Sequence, residues 1–300
     1  MAHGRSPSSI YIVHLNELTR ADVGRAGGKA ANLGELLRAG FDIPDGFVLA
    51  PAAYEHSLAA SDGSLERLDV RIGSLPPDLF AALAATLELF RDVPMAVRSS
   101  AVDEDGTAAS FAGQHETYLN VRGPAAVAEA IVRCWESART ERALEYRQRH
   151  GLSGDTIRLA VLVQHLISAD VSAVAFSAHP VTGNRDEIVI NATWGLGESL
   201  VGGTVTPDTY IVRKSDLTTI DRQVAEKRRM TVLTSGGTRE VDVPRLLRAQ
   251  ASLTDQQVGT VARLARDLEG TMGWPVDVEC AFQDDRLWLL QCRPITALAR

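Results

Sequence analysis

Val276-Asp277-Val278-Glu279-Cys280-Ala281-Phe282-Gln283-Asp284-Asp285-Arg286-Leu287-Trp288-Leu289-Leu290-Gln291-Cys292-Arg293-Pro294 consists of two apolar-rich runs joined by a polar turn. It predicts a β-hairpin with strands over 276–282 and 286–293. Successive strand side chains point to opposite faces, so Val276, Val278, Cys280 and Phe282 make one core row, with Trp288, Leu290 and Cys292 predicted as its partner row. The opposite face then presents Asp277, Glu279, Gln291 and Arg293 together. Turn length decides whether this arrangement closes. A two-residue turn at Asp284-Asp285 sets Glu279 opposite Leu290 and turns Gln291 and Arg293 toward the core row. An odd loop, Gln283-Asp284-Asp285, sets Asp277 across from Gln291 and Glu279 across from Leu289, so that like faces meet. Burying unpaired polar groups costs roughly 1–3 kcal/mol each, so the odd register, or an equivalent bulge, is expected.

Working back along the chain, residues 254–268 predict an amphipathic helix with Thr254 as N-cap and apolar residues at 258, 261, 264, 265 and 268. Four β-rich runs precede it, at 157–164, 171–176, 187–191 and 209–213, interrupted by glycine-rich segments such as Trp194-Gly195-Leu196-Gly197. In the N-terminal half, 10–15 predicts a strand, and Gly27-Gly28-Lys29 opens a helix that Gly40 ends. Residues 43–49 predict a turn and strand, 78–91 and 125–149 predict helices, and 95–97 a short buried strand ending at Arg98. Strands outnumber those of an alternating βαβ plan, so the fold class is α+β with two lobes, set here as 1–165 and 166–300.

Composition excludes several classes of function. The chain has 300 residues, 45% of them apolar, which suffices for a substantial core. Its net charge of −7 arises from 31 basic and 38 acidic residues that are dispersed, which argues against a nucleic-acid surface. Cys134, Cys280 and Cys292 form no CxxC pair and are odd in number, so neither a disulfide framework nor a zinc site is expected. There is no apolar run of signal-peptide or membrane-span length, and the expected setting is the cytoplasm without a membrane partner.

Three segments carry site chemistry. Gly27 through Gly34 place glycines and Lys29 at a helix start, where N–H groups and a lysine attract an anion; a capped surface helix is the other reading. Ala96-Val97-Arg98-Ser99-Ser100-Ala101 sends an arginine out of a buried strand. It can grip phosphate oxygens, or pair with Asp103, Glu104 or Asp105. The hairpin offers Glu279 and Gln291, hard oxygen donors suited to Mg2+, unless its polar face is simply solvated. The seven histidines, His3, His14, His56, His115, His150, His165 and His179, lack the context of a phosphohistidine nucleophile and read as surface or hydrogen-bonded residues.

These segments, taken with Ser110-Phe111-Ala112-Gly113-Gln114, Glu116-Thr117-Tyr118-Leu119-Asn120, Asn191-Ala192-Thr193-Trp194-Gly195-Leu196-Gly197-Glu198, Pro207-Asp208 and Leu290-Gln291-Cys292-Arg293-Pro294-Ile295, run in family order through nearly the whole chain. The sequence resembles the N-terminal ATP-binding domain of the phosphoenolpyruvate synthase, pyruvate phosphate dikinase and rifampin phosphotransferase family. The resemblance implies an ATP-grasp-like two-lobe fold that holds Mg-ATP between its lobes. It assigns phosphate contacts to Lys29 and Arg98, the β/γ-phosphate region to Arg293, Mg2+ to Glu279 and Gln291, the adenine strand to 161–164 with Gln164, and a loop over the nucleotide to 195–198 with Glu198. His115 stands where the family usually has a second glutamine.

Family enzymes continue into a mobile domain with a catalytic histidine, so the implied partners are a histidine-bearing phosphotransfer domain or subunit and a small-molecule acceptor. The expected function is that of an ATP-dependent, dikinase-type phosphotransferase component, incomplete alone, that donates a β-phosphoryl group to that histidine. An ATP-grasp-type ligase and a non-catalytic nucleotide-binding module are the rival readings.

Overall fold

The computed structural model describes residues 8–61, 75–91, 93–101, 117–140 and 159–295. The acidic run at 103–105, the segment at 110–116 with His115, His3, His150, and the predicted helix beyond 140 lie outside the described residues. The chain forms two compact units, Met1–Gly40 with Asp45–Leu166, and Phe41–Pro44 with Ile167–Arg300.

The first unit is built on an antiparallel five-stranded sheet. Its elements are helix α1 (Ser8–Tyr11), β1 (Ile12–His14), α2 (Val23–Arg38), β2 (Gly46–Leu49), α3 (Pro51–Ala60), α4 (Pro77–Glu88), β3 (Met95–Ala101), β4 (Thr117–Val121), α5 (Gly123–Ser137) and β5 (Leu159–His165). The strand order is β1-β2-β5-β3-β4. The strand predicted at 10–15 shrinks to Ile12–His14, because β2 is short and only Leu49, Val48 and Phe47 face it. One sheet face carries Phe47, Leu49, Val97, Val161 and Val163, which pack with Leu79, Leu83, Ile131 and Trp135 of α4 and α5. The other face, with Val48, Ala160 and Leu162, is covered by α2.

Helix α2 is interrupted where the glycines stand. Gly27 adopts φ 76° and ψ 162°, and the helix restarts at Gly28. The predicted helix start is thus a restart; the first turn begins at Val23. Gly40, at φ 91°, follows the C-cap and donates its N–H to Leu37 O at 3.1 Å, as a terminating glycine does.

The second unit carries an antiparallel six-stranded sheet in the order β13-β12-β6-β7-β8-β9. Its elements are β6 (Val171–Phe176), β7 (Glu187–Trp194), α6 (Glu198–Val201), β8 (Asp208–Arg213), β9 (Thr219–Gln223), the two-stranded ribbon of β10 (Arg229–Thr234) and β11 (Gly237–Asp242), α7 (Asp255–Met272), β12 (Val276–Gln283) and β13 (Arg286–Pro294). All pairings in both sheets are antiparallel, so the class is α+β. Helix α7 starts at a capping box in which Thr254 Oγ1 accepts from Gln257 N at 3.2 Å and Gln257 Oε1 accepts from Thr254 N at 2.9 Å. Its buried side, Val258, Val261, Ala262, Ala265 and Leu268, packs on the sheet face made by Val278, Cys280, Ile188 and Ile190.

The hairpin corrects one expectation and meets its alternative. Asp284 and Asp285 form a two-residue turn with φ 49° and 61°, and Gln283 pairs with Arg286. The odd loop is therefore not used. The register instead shifts by one residue between Cys280, opposite Leu289, and Glu279, opposite Gln291, leaving Leu290 as the bulged residue. Two positive-φ aspartates supply the twist of the turn, and the bulge restores the facing of like with like. The predicted core partners change accordingly: Leu289, 1% exposed, fills the core position opposite Cys280, while Trp288 pairs with Ala281 on the other face beneath the Arg286 guanidinium, 4.0 Å from its ring centroid. Asp285→Gly should stabilise this unit by about 0.5–1 kcal/mol, because glycine occupies positive φ without Cβ strain and the Gln257–Asp285 bond it removes is exposed. The midpoint of urea unfolding checks this.

Candidate nucleotide and metal site

In the first unit, three predicted site residues come to one sheet face. Arg98 pairs with Leu162 and Gln164 with Ala96 and Gly46, so by alternation both side chains lie on the face that α2 covers. Lys29 is not a solvated surface lysine: it is 6% exposed and its Nζ donates to Ser99 O at 3.3 Å. Ala30 N donates to Ser100 Oγ at 3.3 Å, which ties the restart of α2 to β3. That approach needs glycine. A Cβ on Gly27 would lie 2.0 Å from Ser100 O. Gln164 is buried, 2% exposed.

In the second unit, Glu279 and Gln291 are direct cross-strand partners, and Asp277 faces Arg293 in the next pair along the same face. Gln291 and Asp277 are buried and Glu279 is half-buried, so this is not a solvated sheet face. Arg293 Nε donates to Asp277 Oδ2 at 2.9 Å, and Nη2 stands 2.9 Å from the same oxygen. Asp277 Oδ1 is buried and has no hydrogen-bond partner among the described residues. Burial pushes the Asp277 carboxyl above its usual range against the pull of the Arg293 guanidinium, and the Glu279 carboxylate adds to the push.

The polar row continues across the sheet. Glu279 neighbours Val174, Val174 neighbours Asn191, and Asn191 neighbours Thr209, whose Oγ1 donates to Asn191 Oδ1 at 2.9 Å. The segment 195–198 lies over the same face: Ser172, which pairs with Ala281, donates its Oγ to Gly195 O at 2.8 Å, and Gly197 sits against the Ser172 side chain. Glu198 opens α6 and is exposed.

Among the described residues no group of three or more His, Cys, Asp and Glu side chains is arranged to hold a metal by itself. Glu279, Gln291 and the open oxygen of Asp277 instead make a partial set of hard oxygen donors. Such a set fits Mg2+, which keeps waters and takes further oxygens from phosphates, better than a metal needing an all-protein cage. Asp277 is the residue that sequence reasoning placed on this face yet left out of the donor set. Its position two residues before Glu279 was the available signal; its buried, unpartnered oxygen depends on tertiary packing.

Among the described residues, Cys280, His56, His165 and His179 are buried, half-buried or already engaged. Cys280 points into the core, and burial pushes its thiol up to about 12. His56 Nε2 is 2.9 Å from Asp78, and His179 Nδ1 accepts from Val181 N and Thr182 N at 3.3 Å each. Burial lowers His165 despite the nearby Asp45 carboxylate. Among the described residues no helix is long and apolar enough to cross a membrane.

Comparison with known proteins bears on what this geometry serves. The probable phosphoenolpyruvate synthase of Methanocaldococcus jannaschii is 36% identical over 327 residues, which covers 99% of this chain and 27% of that protein. The rifampicin phosphotransferase of Streptomyces sviceus is 39% identical over 314 residues, covering 96% of this chain and 36% of that protein. The prodigiosin synthesizing transferase PigC of Serratia marcescens is 36% identical over 300 residues, covering 96% and 33%. The chain thus spans between about a quarter and a little over a third of the length of these relatives. Residues 23–300 match the family described as pyruvate phosphate dikinase, AMP/ATP-binding domain, and the chain belongs to that family.

Proposed function

We propose that this chain binds Mg-ATP and is the nucleotide-handling component of a dikinase-type phosphotransferase, handing the β-phosphoryl group to a histidine carried on another domain or subunit. The observation that carries the reading is the direct pairing of Glu279 with Gln291 beside the unpartnered Asp277 oxygen, in a chain of an AMP/ATP-binding family. Glu279, Gln291 and Asp277 would hold Mg2+, which when bound neutralises phosphate charge and orients the transferring group. Lys29 and Arg98 would contact phosphate oxygens, and Gln164 would meet the adenine. Arg293, held by Asp277, would lie toward the β/γ-phosphates. Glu198 would take part in a loop over the nucleotide. Such a set suits phosphoryl transfer, in which positioning and charge neutralisation dominate and the nucleotide site needs no covalent nucleophile.

The acceptor histidine lies outside this set in the proposal, which leads to a product test. Incubated with Mg-ATP, the chain alone is expected to bind nucleotide without rapid turnover and without stoichiometric acid-labile phosphohistidine. With a histidine-bearing partner domain, AMP, inorganic phosphate and a phosphohistidine on the partner should form, the histidine nitrogen displacing AMP from the β-phosphorus and water cleaving the β–γ bond to release the γ-phosphate. Magnesium-dependent binding that is absent by calorimetry at millimolar nucleotide would refute the ATP site. Stoichiometric phosphorylation of His179 or another histidine of this chain would refute the separate-acceptor reading, and ADP released with a phosphorylated or ligated small molecule would favour an ATP-grasp-type ligase.

A further inference from the structure

One buried carboxylate closes the base of an excursion that the chain makes between β9 and α7. Asp208, the first residue of β8, is fully buried. Its Oδ1 accepts from the backbone N–H of Ala225 at 2.9 Å and from the Lys227 ammonium at 2.5 Å. Its Oδ2 accepts from the backbone N–H and from the hydroxyl of Ser252, each at 2.7 Å. Lys227 is also fully buried, and its Nζ donates further to Ala225 O at 2.9 Å. The same side chain thus holds the point where the chain leaves the sheet and the point where it returns. Between them, the β10–β11 ribbon and the turns that follow it are tied together: Val243 N donates to Arg228 O, Lys227 N to Arg248 O, and Arg248 Nε to Val243 O, all at 2.9 Å.

A buried ion pair is a poor source of net stability, since the loss of hydration offsets much of the attraction. What this one supplies is placement, because a carboxylate with two donors on each oxygen tolerates little displacement of any of them. The placement has a destination. The excursion reaches the segment 194–198 at two points, where Trp194 Nε1 donates to Leu247 O at 3.1 Å and Leu196 N donates to Thr231 O at 2.9 Å. Gly195, at φ 76°, lies so close to the ribbon that a Cβ there would come within 2.4 Å of Thr231 O.

We infer that Asp208, Lys227 and Ser252 are positioning residues for the loop 194–198: they hold the ribbon that in turn holds this loop over the polar face bearing Glu279 and Gln291. Nucleotide affinity then depends on three residues that touch neither nucleotide nor metal. The inference rests on the reading of 195–198 as a loop over the nucleotide.

Hydrogen exchange and Mg-ATP titration on the full chain test it with Lys227→Met, which keeps the buried stem and removes the ammonium, and Ser252→Ala, which removes only a hydroxyl. Lys227→Met should speed exchange of the 194–198 amides about tenfold and weaken Mg-ATP about tenfold, the scale of an ordinary coupling between sites, with Ser252→Ala shifting both the same way by about threefold. A folded variant of lower melting temperature but with unchanged loop exchange and unchanged affinity would reduce the cluster to a structural staple and overturn the inference. Should Lys227→Met fail to fold, Ser252→Ala decides by the same two readings. If wild-type chain binds no Mg-ATP, the proposed function fails, while loop exchange in the variants still reports separately on the clasp.

Discussion

Glu279→Ala is expected to weaken Mg-ATP binding about 100-fold, because losing even an indirect support of a metal ligand costs 10–100-fold and Glu279 is assigned as a ligand itself. That factor corresponds to about 2.7 kcal/mol. Folding should suffer little. Glu279 is half-buried, its backbone pairing with Gln291 and Val174 survives truncation of the side chain, and its carboxylate adds to the push that burial exerts on the Asp277 carboxyl. Removing it relieves that repulsion. Calorimetric titration with and without magnesium, alongside a melting curve without nucleotide, separates the outcomes: an unchanged affinity with a large fall in melting temperature would assign Glu279 to structure.

Gly27→Ala is expected to destabilise the first unit by about 2–6 kcal/mol, the sum of about 1–3 for a side chain held at positive φ with extended ψ, a region open essentially to glycine, and about 1–3 for overpacking. The added Cβ has no room, since it meets the Ser100 backbone oxygen at 2.0 Å and its carbonyl carbon at 2.5 Å, atoms of a central strand that cannot swing aside. Relief requires the restart of α2 to move off β3, which lengthens the Lys29–Ser99 and Ala30–Ser100 contacts and draws the lysine from its place. Affinity for Mg-ATP should therefore fall together with stability. Gly24→Ala is the control: nothing lies within 4 Å of its Cβ, and alanine favours a helix by up to about 1 kcal/mol. Denaturant unfolding of the two variants should show opposite signs, and equal effects would mean that Gly27 is not sterically required.

Much of this was legible because it is written in local periodicity. Period-two alternation places Asp277, Glu279, Gln291 and Arg293 on one face, and it needs only the correct register to join the two strands. The cap at Thr254, the helix end at Gly40 and strands such as Val171–Phe176 follow from residues within a few positions of each other. The strands missed were β4, β9, β10 and β11. β4 is only five residues long, β9 is exposed along nearly its whole length, and the β10–β11 ribbon is held in part by the pairs of Arg229 with Glu240 and Asp242, which hydrophobic periodicity does not register.

By itself the sequence determined the α+β character of the chain and the shared face of Asp277, Glu279, Gln291 and Arg293, since strand number and a spacing of two residues are local properties, whereas the residues proposed for phosphate and metal rest on short motifs and their family order. Tertiary structure alone decided the rest. The hairpin could restore its faces by an odd loop or by a bulge, and positive φ at Asp284 and Asp285 with Leu290 bulged is a choice made by the whole sheet, in which β6 pairs with β12 in unbroken register. Lys29 became a buried residue because Gly27 lets α2 restart against Ser100, 70 residues away for the Ala30–Ser100 bond. Asp208 found Lys227 and Ser252 across separations of 19 and 44 residues, and no periodicity encodes such a meeting; only the cost of leaving a buried carboxylate unpaired selects it.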